Sequence, residues 1–113
     1  MRGDDTAFPV TGDLTLRSHA RDSTIEVTVA GNLDMAAALQ LETRLDALLA
    51  AGDVQAVQLD LAQVGFVDSS GLGALLAVRE RANQVGIDLA ITRISDRVRR
   101  ILDLTGLADI ADG

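Results

Sequence analysis

The sequence predicts a two-layer α/β domain: a mixed β-sheet of about four to five strands with helices packed on one face. Three observations predict it. Short alternating segments read as strands and apolar stripes at helical spacing read as helices, in the order β-β-α-β-α-β-α. The strands alternate apolar with mostly polar residues, whereas a sheet covered by helices on both faces has near-continuous apolar strands. The chain has 113 residues, 48% of them hydrophobic, which is one domain with one core.

Residues 1–12 read as a flexible lead-in and residues 13–113 as the single domain. Phe8-Pro9-Val10 is a candidate short edge strand, limited by Pro9. Leu14, Leu16 and Ser18 alternate with Thr15, Arg17 and His19, and after the turn Arg21-Asp22-Ser23 the run Thr24–Ala30 puts Ile25, Val27 and Val29 on one face. That is an antiparallel hairpin. Gly31-Asn32 is expected to break the second strand, with Asp34 capping the helix that follows. In that helix Leu41, Leu45, Leu48 and Leu49 share a stripe, and Ala51-Gly52-Asp53 closes it. Val57, Leu59 and Leu61 make the next strand; Leu72, Leu75, Leu76, Ala82 and Val85 mark a second helix, stopped by Gly86. Ile87, Leu89 and Ile91 make a further strand. Ser95 caps a third helix, with Val98, Ile101 and Leu102 on one face and Gly106 at its end. Met35 and the leucines are read as core, and the βαβ crossovers are expected to be right-handed.

Composition narrows the function. Aromatic residues are 2% of the chain, so the core is aliphatic and base-stacking platforms are disfavoured. A net charge of −7 argues against nucleic acid or an anionic membrane as partner. There is no cysteine, which removes disulfides, thiolate nucleophiles and zinc–thiolate sites. The acidic start Met1-Arg2-Gly3-Asp4-Asp5-Thr6 is not a signal peptide, and no stretch reaches the ~18 apolar residues of a membrane span; a cytoplasmic protein is the default.

The stretch that can carry chemistry is Asp68-Ser69-Ser70-Gly71-Leu72-Gly73, between an apolar strand and an apolar helix. By spacing alone it is a strand-to-helix turn, with Ser69 or Ser70 as the cap and the glycines allowing close approach. The sharper alternative is an anion or phosphate site, since free N–H groups and the helix dipole favour negative charge there. Enzymatic motifs fit poorly. A Walker loop needs Lys where Leu72 stands; a dinucleotide fingerprint needs Gly or Ala in place of Leu76. A nucleophile elbow needs Gly where Val67 stands, and His19, the single histidine, reads as an exposed strand residue. No cofactor or metal is expected. Arg97, Arg99 and Arg100 read as a solvated helix face, with docking to an acidic partner as the other reading.

Gln58-Leu59-Asp60-Leu61, Phe66-Val67-Asp68-Ser69-Ser70-Gly71-Leu72-Gly73 and Leu104-Thr105-Gly106-Leu107 resemble the STAS domain of bacterial anti-sigma-factor antagonists. Gly31-Asn32-Leu33-Asp34 is similar to that family's Gly-x-Leu-Asp turn, and the resemblance spans about residues 13–110. It implies that Ser69, the first serine of Asp-Ser-Ser-Gly, is the phosphate acceptor. It implies as partners an anti-sigma factor with serine-kinase activity, using ATP and magnesium, and a serine phosphatase that resets the switch. The unmodified antagonist binds the anti-sigma factor and frees the sigma factor; phosphorylation blocks the binding. The chain itself is then no enzyme. Asp34, Asp68, Ser70, Gly71 and Leu72 are the expected partner-binding residues around Ser69. From the residue chemistry, Asp68 orients the Ser69 hydroxyl or serves as a weak base, and Ser70 caps or bonds local backbone. Asn32 stands where the family often carries an acid. The family often continues with a further strand and helix, of which only Ala108–Gly113 remain, and a missing helix would expose an apolar strip. A monomer or weak dimer is expected. The competing reading is a STAS interaction module of a transport system or signalling scaffold, acting without a phosphorylation cycle.

Overall fold

A computed structural model of the chain describes residues 5–9 and 14–106. The remainder of the lead-in and Leu107 onward, including Ala108–Gly113, lie outside the described residues. The strands are β1 (Asp5–Pro9), β2 (Thr15–Arg21), β3 (Thr24–Leu33), β4 (Ala56–Val67) and β5 (Asp88–Ile94); the helices are α1 (Met35–Leu49), α2 (Ser69–Gln84) and α3 (Asp96–Thr105). They form one five-stranded sheet in the order β1-β2-β3-β4-β5. β1, β2 and β3 pair antiparallel, while β3, β4 and β5 pair parallel. Both parallel crossovers step the same way across the sheet. Right-handed connections then put α1 and α2 on the same face, which is the two-layer arrangement the alternation predicts.

The helix-side core is aliphatic. Leu16, Val27, Val29, Leu59, Leu61 and Leu89 of the sheet pack with Leu41, Leu45, Leu72, Val78, Val98 and Leu102 of the helices. Among the described residues no polar or charged residue is buried. The opposite sheet face carries Arg17, Thr28, Gln58 and Asp60.

Four expectations change. The lead-in is not wholly outside the sheet: Asp5–Pro9 pairs with β2 from Asp5↔His19 to Pro9↔Thr15. An outer edge of β2 with unpaired backbone groups recruits it, and Pro9 is tolerated on an edge strand at its last residue. Gly31-Asn32 does not end β3, which runs on to Leu33 with Gly31 at φ 113°. β4 is longer than its Val57-Leu59-Leu61 alternation suggests. Thr28↔Asp60 is followed by Ala30↔Gln63, and Gly31↔Val64 by Asn32↔Phe66, so β4 gains one residue at each irregularity. Its buried positions therefore pass from Val57, Leu59 and Leu61 to Val64 and Val67, a spacing that hides the strand in the sequence. Finally, Met35, Leu39, Leu76, Val85 and Leu104 are exposed, while Ala74 and Val78 take core positions on α2.

Two polar ties hold helices in place. Arg81 of α2 donates from Nε to Asp46 (2.9 Å) and from Nη2 to Glu42 (2.9 Å), bracing α2 against α1. These hydrogen bonds, Asp46 first, raise the guanidinium above its usual range. Ser95 donates from Oγ to the Val64 carbonyl (2.7 Å) and accepts from the Val98 N–H (3.2 Å). One hydroxyl thus caps α3 and fastens it to the irregular part of β4. Ser95→Ala removes both bonds; the urea-unfolding midpoint is expected to fall by the equivalent of about 1–2 kcal/mol, whereas Arg81→Ala, a partly exposed pair, costs less than about 1 kcal/mol and less still in high salt.

Candidate functional site

The site grows from two neighbouring strand ends. Leu33 and Val67 are register partners, and the Asp68 N–H reaches the Leu33 carbonyl at 3.3 Å. Each strand then gives way to a helix by the same device. Asp34 (φ −90°, ψ −170°) accepts from the Ala37 N–H at 3.0 Å, and Asp68 (φ −101°, ψ −174°) accepts from the Gly71 N–H at 2.9 Å. Aspartate suits this position because its oxygen satisfies a free helical N–H and its charge meets the positive end of the dipole. Two carboxylates therefore stand on adjacent strand ends, each spent on a cap.

This corrects the reading of the serines. Asp68, not Ser69 or Ser70, is the cap, because the residue with extended backbone is Asp68. The helix begins at Ser69, which is exposed, and Ser70 is half-buried beside it. Asp68 accepts the Gly71 N–H through Oδ1, so the geometry gives it a capping task. The N–H groups of Ser69 and Ser70 are among the first of the helix and have no acceptor one turn back.

Gly71 and Leu72 are also reassigned. Both are buried, Leu72 at 6% exposure, so neither presents a contact surface. Gly71 is required by sterics: a Cβ there would collide with the Leu33 carbonyl oxygen and lie 2.7 Å from Val67 Cγ2. Leu72 belongs to the core. Of the candidate contact residues, Asp34, Asp68 and Ser70 remain accessible around Ser69.

Sequence reasoning missed the apolar residues near this rim. Met35 is 65% exposed and Leu39 63%. Both follow the Asp34 cap at a spacing of four and lie off the Leu41–Leu45 stripe, which is the signal that distinguishes them from core. Phe66, just past the second β4 irregularity, is 45% exposed. Arg97, Arg99 and Arg100 are exposed on α3, whose inward face carries Val98 and Leu102. His19 lies on β2 opposite Glu26 and is half-buried, less exposed than expected. No helix among the described residues is long and apolar enough to cross a membrane.

Fold and site together define a two-layer α/β domain with an accessible hydroxyl at the start of α2 and capping carboxylates on two neighbouring strand ends. The family model for the STAS domain matches residues 15–112, and the chain belongs to that family. It is 34% identical over 98 residues to an anti-sigma-B factor antagonist of Staphylococcus epidermidis, covering 87% of this chain and 90% of that one. An anti-sigma factor antagonist from Mycobacterium paratuberculosis is 30% identical, with a TM-score of 0.74 over 85% of this chain and 80% of that one. The anti-sigma factor antagonist SpoIIAA in its unphosphorylated form shares the fold, with a TM-score of 0.71 at 22% identity over 84% of each chain.

Gly71→Ala tests the turn. The added methyl forces β3 and α2 apart at Leu33, so a loss of about 2–4 kcal/mol in equilibrium unfolding is expected, in the range of severe overpacking. A variant as stable as the parent contradicts the close approach.

Proposed function

We propose that the protein is an anti-sigma-factor antagonist switched by phosphorylation of Ser69. Unphosphorylated, it binds an anti-sigma factor that is also a serine kinase and so releases that factor's sigma factor. The kinase transfers the γ-phosphoryl group of ATP to Ser69 Oγ; ADP leaves and the hydroxyl proton is lost. A serine phosphatase hydrolyses the ester and restores the binding form. The chain is a substrate and a binding partner in the cytoplasm, without catalysis of its own and without nucleic acid or membrane as target.

The observation that carries this reading is the exposed Ser69 at the first residue of α2, in a turn whose Asp68 carboxylate already accepts the Gly71 N–H as the helix cap. Antagonist relatives at 34% and 30% identity support it and favour it over a transport-system module. The energetics support a switch at the surface. A phosphoryl group adds about −1.5 to −2 charge at pH 7. The start of α2 stabilises it by about 0.3–1 kcal/mol. Asp68 and Asp34, on adjacent strand ends, oppose it. These contributions are small for the fold. A partner closed over Ser69 must instead bury a dianion, which is prohibitive without a matching cation. Ser70 is half-buried and so less open to a kinase than Ser69.

The test is capture from the native cell on immobilised protein, followed by incubation of the captured kinase with ATP and magnesium. One phosphate per chain is expected, on Ser69. Ser69→Ala is expected to accept none and to keep the partner bound in the presence of ATP. Phosphate on Ser70 alone, or a captured kinase that leaves the chain unmodified, contradicts the proposal.

A further inference from the structure

Arg97 and Arg100 are arginines for which the fold shows no use. Both are exposed on α3, and among the described residues neither pairs with an acid, although acidic residues outnumber basic ones 17 to 10. Arg21, Arg81 and Arg93 each do pair with a carboxylate. The helix itself does not call for Arg97 either. Cations stabilise the C-terminal end of a helix and anions its N-terminal end. α3 carries Arg97 in its first turn, no basic residue in its last, and Asp103 in the last turn instead.

The two arginines share a flank with an apolar side chain that is equally without a place in the core. Residues 97, 100 and 104 stand at i, i+3 and i+7, which is one stripe of a helix. Leu104 is 81% exposed, above every other large apolar side chain among the described residues. Val98 and Leu102 point into the core, and Arg99 and Asp103, four apart, fall on the other flank. Asp96, Arg97 and Arg100 line an open depression of about 340 Å³, with Asp96 as the first helical residue, where its charge suits the dipole. The stripe presents two cations one turn apart and an aliphatic side chain a turn further on.

We propose that this flank of α3 docks an acidic segment of a partner protein, with carboxylates on Arg97 and Arg100 and an aliphatic residue over Leu104. Charge complementarity selects the occupant. The guanidinium fork matches a carboxylate with two parallel hydrogen bonds. Phosphate polyanions are repelled by a chain of net charge −7 and offer nothing to Leu104. The inference stands apart from the antagonist reading and uses no residue of the Ser69 turn.

The experiment titrates the full chain into a fluorescently labelled, alanine-based helical peptide bearing two glutamates one turn apart and a leucine a turn beyond them. Binding below about 1 mM at low salt is expected, weakened about fivefold or more when glutamine or lysine replaces the glutamates. Arg97→Gln with Arg100→Gln is expected to weaken binding about fivefold at low salt and within about twofold at 1 M salt. Leu104→Ser costs about threefold at both, whereas Arg99→Gln on the other flank changes it less than about twofold. Each variant keeps its thermal midpoint within about two degrees, as surface changes do. Wild-type affinity in the double arginine variant overturns the inference, as does an equal loss in Arg99→Gln or an equal affinity for single-stranded RNA. A lowered midpoint in the double variant makes the arginines structural and overturns it. So does self-association in sedimentation that the double variant abolishes, which makes a second copy the occupant. Peptide binding that appears only in Asp109→Asn with Asp112→Asn gives the flank to the chain's own acidic residues after α3 and also overturns it, as does no binding in any form of the chain.

Discussion

The close passage of α2 over the end of β3 governs the molecule. Gly71 has no side chain to strike the Leu33 carbonyl, so the helix can begin immediately after β4 instead of after a loop. The Asp68 N–H uses that same carbonyl, and the Asp68 carboxylate uses the Gly71 N–H. Three groups thus settle each other's positions, and Ser69 is left on the outside of the turn. Moving the start of α2 outward by one side chain would shift Leu72 and Leu75 from the core and loosen the Arg81 brace to α1.

A turn built this way suits a reversible charge. Its capping bonds run from the Ala37 and Gly71 N–H groups to the Asp34 and Asp68 carboxylates and do not involve the Ser69 hydroxyl, so adding phosphate removes none of them. The helix start attracts the added charge and the two cap carboxylates resist it, leaving a small balance within the domain. The large term arises only when a second protein must exclude water from the phosphate. A stable fold with a binding surface switched by charge is the natural consequence. Met35 and Leu39, just after the neighbouring Asp34 cap, are exposed apolar residues of α1.

Much of this was legible in the sequence. The three helices, their caps at Asp34 and Ser95, and the alternation of β2, β3 and β5 follow from residue type and period alone, and the structure places them there. The one-sided helix layer was legible because strand polarity reports what covers each face. The later half of β4 was obscured, since each inserted residue changes which positions face inward. β1 was legible in part: Phe8 and Pro9 of the candidate edge strand do pair with β2, while its start at Asp5 was obscured because an edge strand is stabilised mainly by the neighbour it pairs with. At the site, the Asp-Ser-Ser-Gly motif was plain, but the division of labour was not. Asp and Ser are both good caps, and only the extended backbone at residue 68 decides between them. Gly71 and Gly73 look equivalent in sequence; only the three-dimensional neighbours of an added Cβ separate a required glycine from an unrequired one.

The central claim is that phosphate on Ser69 acts at the interface and leaves the fold in place. Amide hydrogen exchange of the phosphorylated and unphosphorylated protein, read together with the affinity of each for the anti-sigma factor, tests it most directly. Exchange across β4 and α2 is predicted to match between the two forms, while affinity falls by about a hundredfold or more, the ~2.7 kcal/mol expected of a charge left badly matched on burial. Faster exchange spreading through α2, or affinities equal within a small factor, would contradict it.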